Sequence, residues 1–139
     1  MSKGRAILAA FALLTAAPIA TAPPAVANLS VDHGIVYARP GGVSLKLDAY
    51  LPQEPGLHLG IIVLHGGAWS SGSRSDIAYE GQWFADRGFA AFVIDYRLAP
   101  AYRYPAALDD AQAAVRWVRT HAKQFGVDPR ALEIGRAHV

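Results

Sequence analysis

Two uninterrupted apolar runs, Leu59-Gly60-Ile61-Ile62-Val63-Leu64 and Phe89-Ala90-Ala91-Phe92-Val93-Ile94, constrain the fold more than any other feature. Each is too short for a comfortable helix, and neither alternates apolar with polar residues as a strand wetted on one face does. Such runs mark strands buried on both faces, the condition of a parallel sheet covered by helices. Between them, Gly66 to Ser75 is rich in Gly and Ser and reads as a loop. Ile77, Tyr79, Glu80, Trp83, Phe84 and Arg87 then follow with a helical rhythm that Gly88 closes.

The flanking segments fit the same plan. Val31 to Ala38 and Val43 to Tyr50 are β-prone runs separated by Arg39-Pro40-Gly41-Gly42, which predicts a hairpin. Within it, Leu45, Leu47 and Ala49 alternate against Ser44, Lys46 and Asp48. Downstream, Pro105 suits a first helical turn. Leu108, Ala111, Ala114, Val115, Val118 and His121 or Ala122 form one face of a helix running to about Phe125, where Gly126 stops it. Val127-Asp128-Pro129 reads as a turn, and Ala131-Leu132 opens another apolar run. Hairpin, strand, helix, strand, helix and incipient strand predict an α/β fold, the N-terminal part of an open three-layer αβα sheet. Sheets of this kind host many activities, so the architecture alone assigns none.

Ahead of the hairpin, Lys3 and Arg5 precede an apolar stretch from Ile7 to Ala17, and Ala25-Val26-Ala27 offers small residues before Asn28. A basic start, a short apolar middle and an A-x-A site describe a secretory signal peptide over residues 1–27, cut after Ala27. The expected destination is the periplasm or the exterior. Pro18 interrupts the apolar stretch, leaving it short for a bilayer span, so no stable membrane insertion is expected. Two of the 13 basic residues lie in this segment, leaving 11 basic against 11 acidic residues in the remainder. That balance carries no electrostatic footprint of a nucleic-acid partner. The absence of cysteine excludes a disulfide framework and a Cys-ligated metal. His33, His58 and His121 lack metal-ligand spacing and read as surface or packing residues, so no metal and no cofactor is expected.

The chemistry concentrates in Leu64-His65-Gly66-Gly67-Ala68-Trp69, directly after the first buried strand. Open α/β sheets place their sites at the carboxyl edge of the strands. Acyl transfer through a serine needs backbone N–H groups aimed at the oxygen that becomes negative in the tetrahedral intermediate. A pair of glycines lets the chain turn so that successive N–H groups point inward without Cβ obstruction. A histidine followed by glycines after a strand suits such an oxyanion-hole loop, and equally a Gly-rich turn with a structural histidine.

Further motifs follow in order. They are Leu47-Asp48-Ala49-Tyr50-Leu51-Pro52, His65-Gly66-Gly67-Ala68-Trp69, Asp95-Tyr96-Arg97-Leu98-Ala99-Pro100 and Tyr104-Pro105-Ala106-Ala107-Leu108-Asp109-Asp110. Ala114-Val115-Arg116-Trp117-Val118 and Phe125-Gly126-Val127-Asp128-Pro129 complete the series. With these, the chain from about Val43 to Leu132 resembles the hormone-sensitive-lipase-like branch of the α/β-hydrolases and the related acetyl-esterase and feruloyl-esterase-type (BD-FAE-like) group. The resemblance implies an α/β-hydrolase domain over residues 28–132 and a small-molecule ester as substrate. It implies that the N–H groups of Gly67 and Ala68 form most of the oxyanion hole, with Gly66 permitting the turn. Ala68 departs from a His-Gly-Gly-Gly form, but the donor is backbone and an alanine retains it. His65 is then a loop support held by hydrogen bonds rather than the catalytic base. Trp69 either lines the acyl or alcohol pocket or packs as a lid over the loop. Asp95-Tyr96-Arg97 is expected to fix the loop that follows it, through hydrogen bonds and an ion pair. Asp110, near a helix start, suits the helix dipole and reads as structural.

A serine hydrolase of this type needs a nucleophile on a sharp strand-to-helix turn, followed by an acid and a histidine. The sequence contains no Gly-x-Ser-x-Gly, and Ser73 and its neighbours lie in the glycine-rich loop. No catalytic triad residue is therefore present, and all three are expected downstream. The final Ile-Gly-Arg-Ala-His-Val resembles one reading frame of a widely used sequencing adapter. Authentic coding is accordingly expected to end near Leu132, with 133–139 a non-native tail and His138 not the triad base. The resulting expectation is a parent carboxylic-ester hydrolase and a 139-residue chain that is itself inactive. The alternatives are an amidase, arylformamidase-like or peptidase-like relative, or a non-catalytic hydrolase-fold module that binds a ligand.

Overall fold

Strand β3 (His58–Leu64) is the axis of the molecule: it pairs in parallel with β4 (Ala90–Ile94) on one side and with β5 (Val127–Arg136) on the other. The computed structural model describes residues 29–136. The expected signal segment, its cut after Ala27, and His138 lie outside the described residues. The hairpin joins as β1 (Leu29–Ala38) and β2 (Leu45–Pro52), antiparallel to each other, with β2 also antiparallel to β4. The order across the five-stranded sheet is β1-β2-β4-β3-β5. Helix α1 (Ala78–Ala85) connects β3 to β4, and α2 (Ala106–His121) connects β4 to β5. The expected α/β class and element order are therefore found, with an antiparallel pair added to a parallel sheet.

Period-two geometry divides the apolar runs between two cores. Ile62, Ala90, Phe92 and Ile94 join Leu45, Leu47 and Ala49 on one face, beneath Ala114, Val118 and Phe125. Ile61, Val63, Ala91 and Val93 face the other way, with Tyr50, Ile77 and Ala85. Both faces of β3 and β4 are thus covered, which explains why their sequences do not alternate. Phe92 meets Phe125 edge to face at 5.4 Å between ring centres, linking the middle of the sheet to the chain leaving α2.

The contact of α1 with the sheet runs through small residues. The buried row is Ile77, immediately before α1, with Gly81 and Ala85 inside it, while Tyr79 is 71% exposed and Trp83 also reaches solvent. A Cβ at Gly81 would stand 2.5 Å from the Tyr50 ring, so the helix lies too close to the sheet for large residues on that face. Small residues occupy the contact and the aromatics are displaced to its flanks. In α2 the expected face is buried at Ala114 and Val118, with Ala122 just beyond the helix, and Ala106 and Asp110 join it, while Leu108 is 46% exposed. This helix ends at His121, with a turn rather than helix reaching Phe125.

Val127-Asp128-Pro129, expected as a turn, lies within β5. The register there is broken: His58 pairs with Val127, and Gly60 with Leu132. The excursion has the local character that Asp-Pro suggests, inside an element that continues on either side. Glu133 to Arg136 extend β5 opposite Ile61 to Leu64. Main-chain pairing makes little demand on side-chain identity, so their place in the strand is independent of their coding origin.

Candidate active site

The loop after β3 begins with a histidine that is almost completely enclosed. His65 is 1% exposed, and its Nδ1–H donates to the Gly66 carbonyl at 2.7 Å. Its ring is stacked on Tyr96, 4.2 Å between centroids and 9° from parallel. The Tyr96 hydroxyl donates to the His65 carbonyl at 2.7 Å. A Cβ at Gly72 would stand 2.5 Å from His65 Nδ1, so the returning loop presses directly on the ring. Tyr96, two residues beyond β4, thus grips the first residue beyond β3 by face and carbonyl together.

Beyond Gly66 the backbone enters an unusual region. Gly67, Ala68 and Trp69 have φ of +99°, +50° and +61°, three successive positive values of which two belong to residues with a Cβ. Each non-glycine residue held there costs on the order of 1 kcal/mol or more, and such costs cluster at functional sites. The loop is held in this form at several points. The Gly67 carbonyl accepts from the N–H groups of Ser70 and Ser71 at 3.0 and 3.1 Å, and the Trp69 carbonyl accepts from Ala99 N–H at 2.8 Å. A Cβ at Gly67 would fall 2.2 Å from the Ser71 carbonyl oxygen, so only glycine fits. Among the described residues, neither the Gly67 nor the Ala68 N–H donates to a protein acceptor. Gly66 is buried, Gly67 half-buried and Ala68 exposed, so the chain rises from the core to the surface across these amides.

The exit of the loop is tied down by charge. Arg74 donates through Nε to Asp48 Oδ1 at 2.9 Å and through Nη1 to Asp95 Oδ2, while its backbone N–H donates to Asp95 Oδ1 at 2.8 Å. Burial alone would raise the Asp48 carboxyl, but hydrogen bonds from Arg74, from Gly34 N–H and from His33 outweigh it and hold the group below the usual carboxylate range. Asp95 and Arg97 are each in an ion pair, with partners on different segments. Asp95 holds the preceding loop through Arg74, and Arg97 reaches forward to Asp110 on α2. Adjacent carboxylate and guanidinium groups at a strand end diverge onto different layers, and each finds a partner from a distant segment. Asp110 is buried and accepts from Arg97 Nε, Nη2 and backbone N–H, so it serves this pair rather than the helix dipole.

A cavity of about 590 Å³ opens beside the loop, lined by Leu64, Ala68, Trp69, Tyr96, Tyr102, Tyr104 and Leu108 among others. Its wall is apolar and aromatic apart from Arg97. Trp69 forms part of this wall while remaining 56% exposed, and the Arg136 guanidinium lies 4.4 Å from its ring centre. The remaining histidines sit elsewhere. His33 Nδ1 is 3.2 Å from Asp48, and His121 donates from Nδ1 to the Trp117 carbonyl at 2.8 Å. His58 lies at the opposite end of β3, and no group of His, Asp and Glu among the described residues is arranged to hold a metal. No helix among them is long and apolar enough to cross a membrane.

Comparison with known proteins agrees with this geometry. Residues 47–135 match the model of the BD-FAE family. The chain is 34% identical over 110 residues to arylacetamide deacetylase of Bos taurus, covering 74% of this chain and 28% of that protein. It is 33% identical over 116 residues to carboxylesterase NlhH of Mycobacterium tuberculosis, covering 82% of this chain and 36% of the relative. The thermophilic esterase Est2 of Thermogutta terrifontis has a similar structure, with a TM-score of 0.69 and 31% identity, over 82% of this chain and 41% of that one. The chain thus spans about a third of the length of these curated relatives.

Proposed function

The chain belongs to the BD-FAE family of α/β-hydrolases, and from that premise we propose that it carries the oxyanion-stabilising part of an exported serine carboxylic-ester hydrolase. The observation that carries the reading is the loop at the carboxyl end of β3, where Gly67 and Ala68 hold two adjacent N–H groups without an acceptor among the described residues. In the proposed reaction a serine oxygen attacks the ester carbonyl, and these amides stabilise the negative oxygen of the tetrahedral intermediate. Their directions are set before substrate arrives, so little reorganisation is needed when the charge develops. His65 and Gly66 act as loop supports, through the stack on Tyr96 and the bond between them. Trp69 contributes to the pocket for the acyl or alcohol group of a small ester, consistent with its position on the apolar cavity.

The nucleophile, its acid and its histidine come, in this reading, from coding sequence that follows Leu132. Residues 1–27 are removed on export, residues 28–132 belong to the hydrolase domain, and 133–139 are a non-native tail. The test is to read the gene from source DNA, express the protein it encodes, and measure hydrolysis of p-nitrophenyl acetate and butyrate. The expected result is a Gly-x-Ser-x-Gly turn after β5, with turnover abolished by replacing its serine with alanine. A stop codon directly after Val139 in source DNA, or serine-dependent turnover by the 139-residue chain itself, would overturn this assignment. Sequencing the exported protein is expected to give Asn28 as its first residue.

A second reading has support from the similarity to arylacetamide deacetylase. The same oxyanion loop serves amide cleavage, because the tetrahedral intermediate places its negative oxygen in the same position. Matched ester and anilide substrates separate the two: a kcat/KM higher for the ester supports the first reading, and the reverse order the second.

A further inference from the structure

His58 opens β3 at the edge of the sheet opposite the oxyanion loop, and its imidazole lies between two main-chain carbonyls. Nδ1 is 3.1 Å from the carbonyl oxygen of Gly88, in the turn between α1 and β4. Nε2 is 3.0 Å from the carbonyl oxygen of Glu54, in the loop between β2 and β3. The His58 backbone N–H donates to the Gly126 carbonyl at 2.7 Å, in the turn between α2 and β5. One residue therefore touches the three connections that meet at this end of the sheet.

The donor count decides what the ring must be. A carbonyl oxygen only accepts, and a neutral imidazole carries a single N–H, its other nitrogen being an acceptor. The Gly88 and Glu54 contacts are both hydrogen bonds only when the ring holds two N–H groups, as an imidazolium. After loss of one proton, a nitrogen lone pair faces a carbonyl lone pair, and one of the two segments must withdraw or admit water. We propose that His58 is a proton-operated clamp: charged, it fastens the β2–β3 loop to the α1–β4 turn, and neutral, it lets one of them go. The ionisable residues on the surrounding segments are Glu54 on its own loop, Asp86 and Arg87 before Gly88, Lys123 before Gly126, and Asp128 and Arg130 on β5. Among the described residues none of them is in an ion pair with His58. The clamp therefore acts on main-chain carbonyls. It is independent of whether the protein hydrolyses esters.

The experiment is amide hydrogen exchange on the full 139-residue chain from pH 5.5 to pH 8, each rate corrected for its intrinsic pH dependence. Protection in 53–57 and 86–89 is expected to fall about fivefold as pH rises, the factor corresponding to one ordinary hydrogen bond, while β4 is unaffected. Ring nitrogen spectra of His58 are expected to show two N–H groups at the acid end and one at the alkaline end. In His58→Asn, which does not titrate and is too short to reach both carbonyls, protection is expected to be low at every pH. Protection in the wild type that does not respond to pH, or a His58→Asn chain with the wild-type response, overturns the proposal. Should that variant not fold, the wild-type data decide: a ring with one N–H throughout, with both segments protected, overturns it equally.

Discussion

The Tyr96 ring lies flat against the His65 imidazole, and its hydroxyl holds the carbonyl of that same histidine. The pair joins the residue that leaves β3 to one just beyond β4, so the two parallel strands are locked together where the glycine-rich loop starts. Tyr96→Phe retains the stack and removes the hydroxyl. It is expected to destabilise the chain by about 1 kcal/mol, the net worth of one hydrogen bond, in urea unfolding. Tyr96→Leu removes the aromatic contact as well and should cost more. A Phe variant as unstable as the Leu variant would place the whole effect in the hydroxyl.

Gly67 and Ala68 should respond in opposite ways to one methyl group. Gly67→Ala drives a Cβ into the Ser71 carbonyl in a backbone region unfavourable to side chains, and is expected to cost on the order of 2–3 kcal/mol. Ala68→Gly removes a side chain from positive φ and should leave stability within about 1 kcal/mol of the wild type. Chemical shifts in Gly67→Ala should move mainly between His65 and Gly72. In an active parent enzyme the same change should lower kcat more than it raises KM.

Arg97 and Asp110 form an enclosed, multiply bonded pair. Arg97→Ala removes the guanidinium and leaves the buried carboxylate only the backbone N–H of residue 97, and is expected to cost about 3–5 kcal/mol. Removing both charges, in Arg97→Met with Asp110→Leu, should cost less than the single change. Thermal unfolding of the three chains checks this, and a double variant less stable than Arg97→Ala would contradict it.

Asp48 gives the acid limb of the stability profile a definite sign. Its carboxyl is held below the ordinary range in the folded chain, so the folded state binds this proton less readily than the unfolded one. The resulting stabilisation is fully present above the unfolded value of about 3.9 and is lost as pH falls through the lower folded value. Asp48→Asn should therefore be less stable than the wild type at pH 6, with the gap narrowing below pH ~4. Urea midpoints at pH 6 and pH 3 measure the gap, and a constant difference would show that the Arg74 contact contributes no pH-dependent stability.

How much of this was legible in the chain depended on the range of the interaction responsible. The runs 59–64 and 89–94 announced buried strands because burial on both faces is written into consecutive residues. The hairpin announced itself through Pro40 and the glycines beside it, and the His65–Trp69 segment through its position after a strand. Hydrophobic bulk is a poor guide to the sheet-facing side of α1, which meets the sheet through Gly81 and Ala85 because close approach selects small residues. The partners of the charged residues were not legible: Asp95 and Arg97 lie two positions apart, yet Asp95 pairs with Arg74 and Arg97 with Asp110. No local pattern encodes a choice made by the way layers stack. Positive φ at Ala68 and Trp69 carried no sequence signal, since neither residue type marks such a position.

The three successive left-handed residues have a mechanical consequence. Gly67, Ala68 and Trp69 form an arch that an isolated peptide of this sequence would flatten, and it stands because both feet are anchored. One foot is the His65–Tyr96 clasp and the other is Arg74, gripped between Asp48 and Asp95. The second anchor belongs partly to the hairpin, which is far from the loop in sequence. Loosening β2 at Asp48 would therefore be felt at the crown of the arch, as a rotation of two N–H groups distant in sequence from the hairpin.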